Sequence, residues 1–482
     1  MNEKVNKPQA MNTGASKLHA DELRDDPRVV EAKRLLTEAL ADHSRSIDGV
    51  RGPRSDLAAG YEQLLQRLAA ARGGATYFPY LTSGIGNGPF VELADGSVKL
   101  DFIAGIGVHG MGHSHPRLLA SSIDAALEDT VMQGNLQQNP ETIEMCEKLI
   151  KMANQHGAKL AHCLLSTSGA MANENALKIA FHNRFPGNRV LAIDNCFAGR
   201  TLALSQLTDR PQYRTGLPQA VQVDHLPMFQ PANAERSIED ASSMLRKLLA
   251  RHPGEYTNLW MEMVAGEGGY YPGTPKYFRT LIDLCKQQNI LIIMDEVQTF
   301  TRLSTPFAFQ HFGLDEFVDI VTIGKITQVC ATIYRDELKP KGPLLSQTFT
   351  ASSASLAAGL VVLDELLQRE CFGKDGWNMR RHAYFADRLA DLSKRYPGKL
   401  SGPFGEGMMI AFTPGQGSEA EAKTMVMDLY HAGLMSFIAG SGPARIRFLP
   451  PPVITTEAHI DLACSIIESV LRTTKEPNQA AK

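Results

Sequence analysis

Five short apolar runs constrain this chain more than any other feature: Ala161-His-Cys-Leu-Leu, Val190-Leu-Ala-Ile, Leu259-Trp-Met-Glu-Met-Val, Ile290-Leu-Ile-Ile-Met and Ile320-Val-Thr-Ile. Stretches of helical spacing separate them between about residues 110 and 365. A strand apolar on both faces has to be covered on both, so the pattern predicts an α/β fold with a mostly parallel sheet under helices. In such sheets ligands bind outside the carboxyl ends of the strands.

The flanks read differently. Residues 1–26 are polar and mixed in charge and read as a mobile arm, whereas Val29, Val30, Ala32, Leu35, Leu36 and Leu40 predict a helix from Pro27 to about His43. A second helix is expected over Leu57 to Ala71, and Pro89-Phe-Val-Glu-Leu with Val98-Lys-Leu-Asp-Phe, joined by Asp95-Gly96, reads as a hairpin. Beyond a long helix through Leu356 to Leu367, Gly402–Phe412 and Ala444–Leu449 read as strands of a smaller α+β domain.

Charge narrows the partners. With 49 basic and 52 acidic residues among 482, the formal charge of −3 leaves no footprint for nucleic acid or an anionic membrane. No window resembles a membrane span or the apolar core of a signal peptide. The seven cysteines are scattered and never form a Cys-x-x-Cys pair, which predicts free thiols and a cytoplasmic location. A small-molecule partner is expected.

Three segments suggest which one. The strand Ile290-Leu-Ile-Ile-Met ends in Asp295, a carboxylate whose buried charge needs a partner. The run Asp319-Ile-Val-Thr-Ile-Gly ends in Lys325, an amine whose desolvation favours its nucleophilic form. Ser168, Gly169 and Ala170 open a helix whose free N–H groups suit a phosphate. Singly, each has a plainer reading: a strand-end cap, a solvated lysine, a capped helix. Together they meet the needs of pyridoxal 5′-phosphate: a phosphate cradle, an acid for the ring nitrogen and an imine-forming lysine.

From about Gly84 to Leu471 the chain resembles the class III (omega-amino-acid type) pyridoxal-phosphate aminotransferases of fold type I. Gly88-Pro-Phe-Val-Glu-Leu-Ala-Asp-Gly, Leu100-Asp-Phe-Ile-Ala-Gly-Ile and Gly112-His-Ser-His-Pro carry the likeness, together with the three segments above. The resemblance implies that Ser168, Gly169 and Ala170 bind the phosphate, that Phe197 stacks on the ring and that Val297 packs its other face. It pairs Asp295 with the ring nitrogen, brings Gln298 to the phenolic oxygen and makes Lys325 the tethering lysine. Thr348 would contact the phosphate of a neighbouring subunit, which implies a homodimer with shared active sites.

For the substrate, Arg447 would grip a carboxylate; Glu262 and Glu267 match the family's paired glutamates, the second as a gate over that arginine. Glu262 would belong to the cofactor site. The implied reaction moves an amino group, most simply the terminal amine of a diamine or omega-amino acid, to a keto acid such as 2-oxoglutarate or pyruvate. Gly324-Lys-Ile-Thr-Gln-Val-Cys330 has some likeness to lysine 6-aminotransferases. The expected organisation is an N-terminal arm with helices (1–75), strands joining the small domain (76–110), a large pyridoxal-phosphate-binding domain (111–367) and a C-terminal small domain (368–482).

Ala198, Met263, Ala265, Phe300-Thr301 and the stretch Thr350 to Ser355 depart from the family pattern, and bulk at Phe300 is expected to reshape the pocket. Competing readings are an aminomutase or racemase on the same fold and, more remotely, an NAD-dependent dehydrogenase built on Gly105-Ile-Gly-Val-His-Gly110. His113 and His115 lack further partners at metal-ligand spacing, so no metal is expected.

Overall fold

The computed structural model describes residues 17–129 and 134–473. Its centre is a seven-stranded sheet in the order Leu160–Ser166, Cys330–Arg335, Ile320–Ile323, Leu291–Glu296, Tyr256–Met261, Arg189–Ile193 and Gln222–Leu226. Six strands share one direction, and Cys330–Arg335 runs against both its neighbours. Burial explains the apolar runs: Ile292 and Met294 join the core on one face, while Leu291 and Ile293 join a second core on the other. Two strands fall outside those runs. Gln222–Leu226 is a half-buried edge strand that tolerates Asp224 and His225. Cys330–Arg335 is buried but carries Thr332, whose hydroxyl donates to the Ala172 carbonyl at 2.7 Å.

The helix Gly169–Asn183 lies across one face of the sheet and begins where the strand Leu160–Ser166 stops. Ser168 caps it, its hydroxyl accepting from Met171 N at 3.2 Å.

The C-terminal part holds an antiparallel sheet in the order Leu400–Glu406, Met409–Pro414, Arg445–Phe448, Phe437–Ala439. The span Gly402–Phe412 is therefore a hairpin and not one strand, because Gly407 turns the chain at φ 56°. A Cβ at Gly407 would sit 2.2 Å from the Arg302 carbonyl oxygen, so only glycine fits. The expected hairpin Phe90–Leu93 and Val98–Asp101 forms, and Leu434–Met435 pairs with it in parallel.

Helices Pro27–Ser44 and Ala58–Arg72 match the pattern reading, and Asp26 caps the first by accepting from Arg28 N at 2.8 Å. Of the expected arm, residues 1–16 lie outside the described residues, and His19–Arg24 forms a short helix. Among the described residues no helix is long and apolar enough to cross a membrane.

The glycine run 105–110 does not form a dinucleotide loop. It follows a strand of the small mixed sheet, makes one tight turn over Ala104–Gly107, and the next long helix starts only at Pro116. Its glycines serve close packing: a Cβ at Gly110 would meet Ile326 Cγ1 at 2.4 Å. His113 Nε2 lies 3.0 Å from Asp101 Oδ2, and His115 caps Pro116–Ala126, so both histidines are used locally. Among the described residues no group of three or more His, Cys, Asp and Glu side chains is placed to hold a metal.

Candidate active site

The carboxyl ends of the central strands open into a cavity of about 280 Å³, close to the lower limit of about 300 Å³ usual for small-molecule sites. Its walls bring together Gly169, Ala170, Phe197, Glu262, Glu267, Asp295, Val297, Gln298 and Lys325, residues drawn from four strand ends and one helix start.

Asp295 is 5% exposed. Its Oδ1 accepts from Val297 N at 2.9 Å and its Oδ2 from Asn173 Nδ2 at 2.8 Å. Burial pushes this carboxyl up, opposed by those two hydrogen bonds and by the Lys325 charge. Glu262 caps the neighbouring loop: Oε1 accepts from Phe197 N and Oε2 from Gly266 N, both at 2.9 Å. Burial, followed by the charge of Asp295, raises Glu262 well above the carboxylate range.

Lys325 follows strand Ile320–Ile323 with a left-handed φ of 58°, a strained conformation for a residue bearing a Cβ. Burial lowers its ammonium to about 8, the Arg447 charge adding to the fall while Glu267, Asp295 and Glu262 oppose it. An amine so placed is available as a neutral nucleophile and base near neutral pH.

Arg447 projects from strand Arg445–Phe448 with its side chain wholly buried. Nη2 donates to Glu267 Oε1 at 2.6 Å, and Nη1 approaches Gln298 Oε1 at 3.5 Å. Burial works against ionisation of Glu267, but the adjacent Arg447 prevails and holds it below its ordinary value. Glu267 retains 25% side-chain exposure, so this acid has room to turn away.

Three expected residues lie off the cavity wall. Ser168 acts as the helix cap, and the first N–H groups of that helix, at Gly169 and Ala170, have no intrahelical acceptor. Arg447 reaches the site through Glu267 and Gln298. Thr348 is exposed on a loop, with its carbonyl 2.3 Å from where a Cβ on Gly134 would stand.

Asn173, Ala198, Gly199 and Arg200 also line the cavity, and two of them, Arg200 and Asn173, bring polar side chains the motif reading did not assign. Arg200 brings a second guanidinium, 4.0 Å from the Tyr213 ring centroid. Asn173 is an amide four residues after Gly169 on the same helix face as the cradle, and that spacing is the one clue the sequence offers to it. The expectation for Phe300 is corrected. Its ring turns into the core against Phe307, centroids 4.7 Å apart, because an apolar ring is better buried there than beside charged groups.

The residues present fit pyridoxal phosphate. Asp295 is a buried acid whose contacts are neutral donors, leaving it suited to a cationic ring N–H. A Cβ at Gly169 would come within 2.7 Å of Val297 Cγ1, so glycine lets the helix start pack directly against Val297 beside Asp295.

Residues 74–471 match the aminotransferase class-III family. The chain belongs to the class III aminotransferases. It is a pyridoxal-phosphate-dependent transaminase. Acetylornithine aminotransferase of Aquifex aeolicus is 28% identical over 397 residues, covering 80% of this chain and 96% of the relative. The enzyme of that name from Caldanaerobacter subterraneus is 29% identical over 406 residues, covering 80% and 93%. Lysine aminotransferase from M. tuberculosis, solved in its internal aldimine form, has a TM-score of 0.74 at 23% identity, covering 85% of this chain and 99% of that one. The fold is fold type I of the pyridoxal-phosphate enzymes.

Proposed function

We propose that this class III aminotransferase takes a terminal amino group from a diamine or omega-amino acid and delivers it to a keto acid such as 2-oxoglutarate or pyruvate. The observation that carries this reading is the 2.6 Å contact between Glu267 and Arg447 beside Lys325. A buried guanidinium masked by an acid offers no free carboxylate site to a donor whose amine is terminal. When the acid turns aside, the same guanidinium binds the carboxylate of the acceptor through its planar fork. The acetylornithine aminotransferase and lysine aminotransferase relatives support a terminal amine as the donor group.

In this reading Lys325 holds and moves the proton at the donor carbon, and Asp295 keeps the ring nitrogen protonated. Pyridoxal phosphate supplies, when bound, the electron sink for charge developing at that carbon. Phe197 and Val297 hold the two ring faces, Gln298 the phenolic oxygen, and Ser168, Gly169 and Ala170 the phosphate, while Glu262 anchors the loop that carries Phe197. Thr348, exposed and off its own cavity, fits a homodimer in which each chain completes its partner's phosphate site. The seven free cysteines support a cytoplasmic location.

Lys325→Ala should still bind pyridoxal phosphate yet lose turnover by about 10²–10⁴-fold, the worth of a positioned proton carrier. Substantial residual transamination would overturn the site. A panel of donors, read by conversion of the bound cofactor to its amine form, should favour terminal amines over α-amino acids; the reverse order would overturn the substrate class.

A further inference from the structure

We propose that Asn173 is a positioning residue that ties Asp295, the acid assigned to the ring nitrogen, to the loop that carries Phe197. The inference rests on the cofactor assignment above and goes beyond it, because it concerns a side chain that touches neither the phosphate nor the reacting carbon.

The geometry is specific. Asn173 is 2% exposed and lies on helix Gly169–Asn183, whose first turn forms the phosphate cradle. Its Nδ2 donates twice, to Asp295 Oδ2 at 2.8 Å and to the Ala198 carbonyl at 2.7 Å. Both partners are acceptors, so the amide must present its nitrogen to them. Its Oδ1 is left buried without a hydrogen-bond partner. An amide that only filled core space would be expected to satisfy its oxygen as well.

The Ala198 end is as ordered as the Asp295 end. Phe197 N donates to Glu262, and Ala198 N donates to the Thr208 hydroxyl at 2.9 Å. With Asn173 on the Ala198 carbonyl, the short loop is held from three directions, and Phe197 cannot drift over the ring. One carboxamide therefore couples the phosphate helix, the ring-nitrogen acid and the ring-stacking loop.

The electrostatic setting makes the coupling sensitive to pH. Asp295 is faced by Val297 N from its own turn, by Glu262 from the adjacent strand end and by Lys325 from the next. Glu296, Cys196 and Cys330 feel its charge from behind. Among these, Asn173 is the neutral side chain that donates directly to the carboxylate.

Three variants of the full-length holoenzyme test the idea. Asn173→Ala should raise the dissociation constant for pyridoxal phosphate about tenfold, the worth of a charge-assisted hydrogen bond, and lower kcat for every donor without changing donor preference. Asn173→Asp keeps the shape but sets a carboxylate against Asp295, so the two acids must share a proton. Its cofactor affinity should approach wild type at low pH and fall more steeply than wild type as pH rises. Asn173→Gln should not restore the wild-type profile, since a longer arm cannot reach both acceptors.

Wild-type cofactor affinity and an unchanged pH profile of the bound-cofactor absorbance in Asn173→Ala would overturn the proposal. So would an Asn173→Asp variant, folded by circular dichroism, with no added pH dependence. If Lys325→Ala loses turnover as expected while the Asn173 variants behave as wild type, only the coupling role falls. If Lys325→Ala keeps its turnover, the cofactor assignment itself has failed.

Discussion

Glu262 and Glu267 stand on one strand-to-loop connection and line the same cavity, yet their surroundings treat them oppositely. Glu262 faces another acid, Asp295, and accepts from the backbone N–H groups of Phe197 and Gly266, and its carboxyl is pushed up. Glu267 faces the guanidinium of Arg447 and is pulled down. The first pairing fixes a loop and keeps its charge small. The second keeps two full charges in reach of each other, so that either can be exchanged for a charge on a substrate. On this comparison, changes at the acid–acid pair should weaken turnover of all substrates alike, whereas changes at the acid–cation pair should alter the ranking among them.

The largest expected effect tests the first half of that comparison. Asp295→Ala should lower kcat by about 10²–10³-fold, the scale of a lost electrostatic stabiliser, equally for terminal-amine and α-amino donors. Steady-state kinetics with both donor types checks it, and a change in their ratio would break the distinction. Arg447→Ala should raise KM for the keto-acid acceptor by about 10–100-fold, the worth of about 1.5–3 kcal/mol for hydrogen bonds to a charged group. A simple amine without a carboxylate should react in the first half-reaction almost as before, read by loss of the aldehyde-form absorbance.

Glu267→Ala should shift kcat/KM toward α-amino donors by about tenfold, since it unmasks one guanidinium. Competition between the two donor types measures the shift directly. Glu262→Gln keeps one acceptor oxygen where Glu262 has two, so it removes one of the two backbone hydrogen bonds that Glu262 accepts, about 1 kcal/mol, and should cost all donors a few-fold alike.

The smallest effect separates the cavity acids from their neighbour. Glu296 is wholly buried, and burial raises its carboxyl from 4.5 to about 7 against hydrogen bonds from Ala308 N, Phe309 N and Thr299. A raised carboxyl stabilises the fold fully below pH 4.5 and loses that contribution as pH rises through about 7. The Tm of Glu296→Gln should therefore fall less than that of the wild type across this interval, with little change in donor ranking.

Much of this site is legible in the chain because its residues occur where strands and helices end. An apolar run that stops at Asp295 and another that stops before Lys325 announce their positions, since a buried strand has one predictable exit. Ser168 and Gly169 announce theirs through capping chemistry. Asn173 was less visible because its role depends on a residue far along the chain, Asp295, which only the fold brings to it. Phe300 misled for a related reason: pattern places it beside the cavity, and only packing decides that its ring turns toward Phe307. The C-terminal hairpin was harder to place because, of the glycines at 402, 405 and 407, only packing shows that Gly407, crowded by a carbonyl from another part of the chain, carries the turn.

Lys325 sits in the short return between a strand that runs with the sheet and one that runs against it, with Ile323 facing Ala331 across the gap. Splicing a single residue into that return would force either a bulge or a one-step slip, and a slip would send every side chain of Cys330–Arg335 to the wrong side. Anyone reshaping this enzyme for new amines should therefore diversify the cavity walls freely and leave the length of that return untouched.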